Sequence, residues 1–89
     1  MKYKAYAKKR DANEPEIVEA LEGIGATVYR LDMFDLLVGY RGKTHLIEVK
    51  NPTGKNKLTE AQIAFIEKWK GSPLHICRDA QTAVDIISR

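Results

Sequence analysis

Two carboxylates and an ammonium could do chemistry together in the middle of the chain: Asp35, then Glu48 and Lys50 two residues apart. Oxygen ligands of this kind suit a hard divalent cation, and a lysine beside them can assist an attacking water or offset charge developing on a phosphate. Whether they meet depends on how the chain turns between them. Phe34 to Tyr40 and Lys43 to Lys50 are β-rich runs separated by Arg41-Gly42, a hairpin signal. With a two-residue turn Tyr40 faces Lys43, and counting back along both strands sets Asp35 opposite Glu48. Directly opposed residues have Cβ atoms roughly 4.5 to 5.5 Å apart, where like charges destabilise unless a cation compensates. A three-residue loop or a bulge would shift the register by one and send the two acids to opposite faces.

Alternation favours the even register. One face collects Phe34, Leu36, Val38, Ile47 and Val49, and the other collects Asp35, Leu37, Leu46, Glu48 and Lys50. Both faces are largely apolar, which predicts a sheet covered on both sides with the three charged groups at one end of one face. A plainer explanation of Glu48-x-Lys50 is that the lysine neutralises its same-face neighbour while Asp35 reaches solvent. Three groups converging by register are harder to explain that way.

The elements that would hold this hairpin are legible on either side. Asn13-Glu14-Pro15-Glu16 carries a capping residue and a proline tolerated in a first turn, and Ile17, Leu21 and Ile24, with Ala20 beside them, repeat at helical spacing until Gly23 and Gly25. Ala26 to Leu31 reads as a strand. Asn51 to Lys57 is a loop, and Thr59-Glu60-Ala61-Gln62 is a capping box opening a helix to about Lys70 and Gly71. Leu74 to Arg78 reads as a fourth strand and Ala80 to Ser88 as a closing helix. The order is helix, three strands, helix, strand, helix: a single α/β domain with a mixed sheet.

Eighty-nine residues at 44% hydrophobic and 30% charged suit one compact domain and exclude wholesale disorder. The net charge of +3 is a mild bias, but its distribution is uneven. Lys2, Lys4, Lys8, Lys9 and Arg10 crowd the start, and Lys50, Lys55 and Lys57 cluster in the middle; a solvated face and a phosphate-binding track explain such runs equally well. The lone Cys77, in a mostly apolar run, excludes a disulfide framework and predicts a buried thiol. His45 and His75 lack a metal-ligand spacing and are assigned to surface or strand packing, and Trp69, at helical spacing from Phe65, to the core. No apolar run has membrane-spanning length and no signal-peptide pattern opens the chain, so a cytoplasmic location is expected.

Asp35-Leu36-Leu37-Val38-Gly39 followed by Glu48-Val49-Lys50-Asn51-Pro52 resembles the PD-(D/E)XK nuclease superfamily, specifically its compact VRR-NUC members. The similarity runs along nearly the whole chain, including Glu14 and the Leu58 to Gln62 segment, and implies an αβββαβ restriction-endonuclease-like core. It also implies a Mg²⁺- or Mn²⁺-dependent phosphodiesterase in which Asp35, Glu48 and the Val49 carbonyl ligate metal. Lys50 would position or activate water, Glu14 would complete or orient the metal shell, and Gln62 would support Lys50 or the nucleic-acid backbone. Two of these roles have structural competitors: Glu14 sits where a helix dipole favours any acid, and Gln62 is the capping partner of Thr59. The pattern departs from the family before the hairpin. Phe34 replaces a proline, and Asp32-Met33 a glycine-containing approach, which makes Asp32 a rival ligand that strand alternation would turn to the other face.

The expected activity is hydrolysis of DNA, on the resemblance at branched or junction structures, by a homodimer offering two sites. Lys8, Lys9, Arg10, Lys55 and Lys57 are the candidate phosphate contacts. The rivals are a non-catalytic nucleic-acid-binding module retaining the fold and a purely structural interaction domain, which would leave the facing carboxylates unexplained.

Overall fold

The turn at Arg41-Gly42 sets the architecture. In the computed structural model, which describes residues 11–53 and 57–89, Arg41 has φ 51° and Gly42 φ 77°. Positive φ at both central residues is the pattern of a type I′ turn, whose twist matches that of the flanking strands. Tyr40 therefore pairs with Lys43, and the antiparallel ladder continues to Leu36 opposite Ile47, the even register. Of this hairpin, β2 spans Leu36–Tyr40 and β3 spans Lys43–Val49.

The remaining elements are α1 (Glu14–Gly23), β1 (Thr27–Arg30), α2 (Glu60–Lys68), β4 (Leu74–Cys77) and α3 (Ala80–Ile87). The sheet order is β1-β2-β3-β4, with β1 antiparallel to β2 and β4 parallel to β3. A parallel neighbour needs a crossover, and α2 supplies it between β3 and β4. This is the small α/β domain with a mixed sheet that the sequence predicts, and it is compatible with the αβββαβ layout. No helix among the described residues is long and apolar enough to cross a membrane.

One face of the sheet is closed. Ile17, Val18 and Leu21 of α1 and Ala83, Ile86 and Ile87 of α3 form a single cluster with Leu36, Val38, Ile47, Val49 and Cys77. The other face is covered thinly by α2, whose Phe65 meets Phe34 edge-on and stacks within the helix on Trp69 at its end. Leu37, Ile63, Ile66 and Trp69 stay exposed, so the expected two-sided burial holds fully on one side only, and Trp69 is not a core residue. Phe34 also changes sides: residues 31–35 are irregular, so strand alternation does not reach back to it.

Asn13 does not cap α1. Its backbone is already helical at φ −85° and ψ −4°, and its side chain makes no capping bond. Instead Asn13 Nδ2 donates to the Lys50 carbonyl at 3.1 Å and to the Arg78 carbonyl at 2.9 Å, joining the start of α1 to the ends of β3 and β4.

Cys77 is buried as expected. Burial pushes its thiol up to about 12, with Asp79 and Asp35 adding to the effect and Arg78 opposing it. Thiolate is the nucleophile, so at neutral pH the native protein presents roughly a thousandfold less of it than an ordinary thiol does. Alkylation of Cys77 is expected to be slower than in the urea-unfolded chain by at least that factor, followed by mass spectrometry over time. Equal rates would show that β4 opens freely.

Candidate active site

The two acids enter the site differently. Glu48 lies within β3, whereas Asp35 is the last irregular residue before β2, one step beyond the paired Leu36. Both are buried, Asp35 at 3% and Glu48 at 5% exposure, and they occupy the same end of the hairpin. Asp35 is fixed across the strands: Val49 N–H donates to its Oδ2 at 2.7 Å, while its own carbonyl accepts from Leu31 N–H at 2.9 Å. A strand conformation at Asp35 would have directed its side chain simply alongside Glu48. The irregular approach instead lets the carboxylate take up a backbone donor of β3.

Lys50 follows β3 and is pinned through its backbone, its N–H donating to the Cys77 carbonyl at 2.9 Å and its carbonyl accepting from Asn13. With the main chain held, the ammonium reaches Glu48 Oε2 at 3.2 Å and donates to the Lys57 carbonyl at 3.0 Å. The side chain is 14% exposed, so it reports to both the interior and solvent.

Glu48 and Lys50 open onto a hollow of about 470 Å³, also lined by Asp32, Met33, Thr59, Ala61 and Gln62. Asp32 is therefore on the Glu48 side, against the expectation from alternation, because residues 31–35 form no strand. Asp35 does not line this hollow; its tie is to Val49 N–H.

Gln62 is 4% exposed, and both ends of its amide are engaged. Thr59 N–H donates to Oε1 at 3.0 Å, Thr59 Oγ1 accepts from Gln62 N–H at 3.1 Å, and Nε2 donates to the Met33 carbonyl at 2.7 Å. The capping box is thus complete, and the same side chain straps α2 to the segment carrying Asp32. Gln62 reaches the hollow as the residue that sets its wall.

Glu14 is drawn elsewhere. Its buried Oε2 accepts from Arg30 Nε at 2.8 Å, tying α1 to β1. Among the described residues no group of three or more His, Cys, Asp or Glu side chains is placed to hold a metal ion, so Glu14 does not join Asp35 and Glu48. The donor set left for a cation is two carboxylates and the Val49 carbonyl. That set fits Mg²⁺ or Mn²⁺ in chemistry, since a small hard cation retains several waters and needs only one or two carboxylates from the protein.

Of the expected phosphate contacts, Lys57 is exposed beside the site, and its carbonyl receives Lys50. Lys8, Lys9, Arg10 and Lys55 lie outside the described residues. Sequence reasoning misses the bridge from Asn13 and the Arg30 partner of Glu14, contacts spanning 37, 65 and 16 residues that no local spacing encodes. No family model matches this chain, and no curated protein or solved structure matches it either.

Proposed function

We propose that the chain is a divalent-metal-dependent nuclease hydrolysing DNA phosphodiester bonds on the compact VRR-NUC plan. The observation that carries the reading is the pair of buried acids, Asp35 and Glu48, at one end of the hairpin, with the Lys50 ammonium 3.2 Å from Glu48 beside an open hollow. Buried charges are costly, and a buried acid paired with an ammonium at the wall of an open cleft, with a second buried acid behind it, is a functional-site signature.

On this reading Asp35, Glu48 and the Val49 carbonyl hold Mg²⁺ or Mn²⁺. When bound, the ion supplies Lewis-acid stabilisation and a more acidic water. Lys50 donates to a non-bridging phosphate oxygen as negative charge grows there, while the water oxygen bonds to phosphorus and gives up its proton to solvent, and the opposite P–O bond breaks with the departing oxygen taking up a proton. Gln62 and Glu14 act as positioning residues, through Met33 and through Arg30. Asp32 faces the same hollow and is a further candidate for orienting water. Lys57, with Lys8, Lys9, Arg10 and Lys55, steers the phosphate backbone. A homodimer acting on branched DNA in the cytoplasm completes the proposal.

The test is incubation with branched, duplex and single-stranded DNA under Mg²⁺, Mn²⁺ or EDTA. Cleavage is expected with either ion, none with EDTA, and a loss of about 10²-fold or more in Glu48→Gln. Binding without cleavage under every condition would replace the enzyme with a DNA-binding module of the same fold.

A further inference from the structure

We infer that a second hollow, at the turn end of the hairpin, binds a phosphate oxyanion. This hollow, about 360 Å³, is lined by Lys43, His45, His75 and Arg89, with Thr44 and Ser72 beside them. None of its lining side chains is acidic.

The topology explains the convergence. Lys43 and His45 alternate to the same face of β3 as Ile47, and Ile47 pairs with His75 on the parallel strand β4. Ile86 of α3 and Arg89 just beyond it close the space. Glu48 and Lys50 alternate to the opposite face and lie toward the far end of β3. The basic hollow is therefore separate from the candidate active site, and the inference stands whether or not the nuclease reading does.

Two observations indicate that something anionic belongs there. The Nε2 of His45 is closed off from water and has no hydrogen-bond partner among the described residues, although buried polar atoms are normally bonded. In addition, His45 is held below its ordinary value by burial first, then by His75 and then by Lys43, so its neutral imidazole sits close to other basic groups. An anion held by Lys43 and Arg89 supplies the counter-charge that the lining side chains lack, and it reaches Nε2 of His45 only if the ring turns toward the hollow.

The donors suit a tetrahedral oxyanion: a forked guanidinium, a compact ammonium and imidazoles. A metal cation is disfavoured by the same charges. The phosphate can come from a small molecule or from a nucleic-acid backbone.

The experiment is a two-dimensional ¹H–¹⁵N NMR titration of the full chain with inorganic phosphate, against sodium chloride at matched ionic strength. Saturable shifts confined to the signals of Lys43, Thr44, His45, His75 and Arg89 are expected. Arg89→Ala alters an exposed residue and should leave the spectrum folded; alone or with His45→Gln it should weaken binding by about tenfold or more, as expected for losing a charge-assisted contact. A duplex lacking terminal phosphates, added in a second arm, assigns the source. Shifts at the same residues identify a backbone phosphate, and shifts with inorganic phosphate alone identify a small anion. Shifts that follow chloride equally, that map to Lys50 and Lys57 alone, or that persist in folded Arg89→Ala would overturn the inference.

Discussion

Lys50→Met is expected to reduce metal-dependent DNA cleavage by about two to four orders of magnitude, the range associated with a positioned proton donor or charge stabiliser. Methionine keeps most of the apolar stem and removes only the ammonium. The same change is expected to cost about 2 kcal/mol of stability, because Glu48 at 5% exposure then loses the cation 3.2 Å away. That figure sits below the value for a fully buried pair since the Lys50 side chain is 14% exposed. The two effects separate in a cycle with Glu48→Gln. In the double variant Lys50→Met/Glu48→Gln stability returns, because no charge is left buried alone. If the lysine only neutralises Glu48, adding Lys50→Met to Glu48→Gln lowers the residual cleavage no further; if the lysine serves the reaction, the residual cleavage falls again. Chemical denaturation and a cleavage assay on all four proteins of the cycle decide between these outcomes.

The geometry behind that experiment is partly legible in the sequence. Gly42 with a preceding polar residue marks a two-residue turn, and such a turn allows one register, so the pairing of Tyr40 with Lys43 follows from local chemistry alone. The Thr59–Gln62 cap is equally local, three residues apart on one turn of chain. What alternation does not supply is the point at which β2 stops. A strand read back through Phe34 keeps the period of two, yet β2 begins at Leu36. Beyond that point the period has no force. Asp35 turns to Val49 N–H, Asp32 arrives in the hollow, and Phe34 packs on Phe65. The basic hollow escapes a sequence reading for a related reason. His45 and His75 are thirty residues apart, and only the parallel pairing of β3 with β4 brings them together.

Asn13 gives the sharpest separation of a local from a tertiary reading. As a helix N-cap, Asn13→Asp should be neutral or mildly stabilising, because aspartate caps as well as asparagine does and its charge favours the helix dipole. The structure predicts the reverse. Asn13 Nδ2 is a donor to two carbonyls, those of Lys50 and Arg78, and aspartate has no donor to offer when ionised. Its carboxylate would face both carbonyl oxygens. Asn13→Ala is expected to cost about 2 to 3 kcal/mol, from two partly buried hydrogen bonds and the carbonyls left behind. In a domain of this size that lowers the melting temperature by roughly 10 to 20 °C. Asn13→Asp should be at least as destabilising near neutral pH and should recover part of the loss when acid protonates the new carboxyl, since an O–H can again donate to one carbonyl. Because the same bond pins the Lys50 carbonyl, both variants should also cleave DNA more slowly under conditions where they remain folded. Thermal melts of the two variants across pH provide the check: Asn13→Asp at or above the parent's stability at neutral pH would return Asn13 to the role of a cap and free the end of β3 from α1.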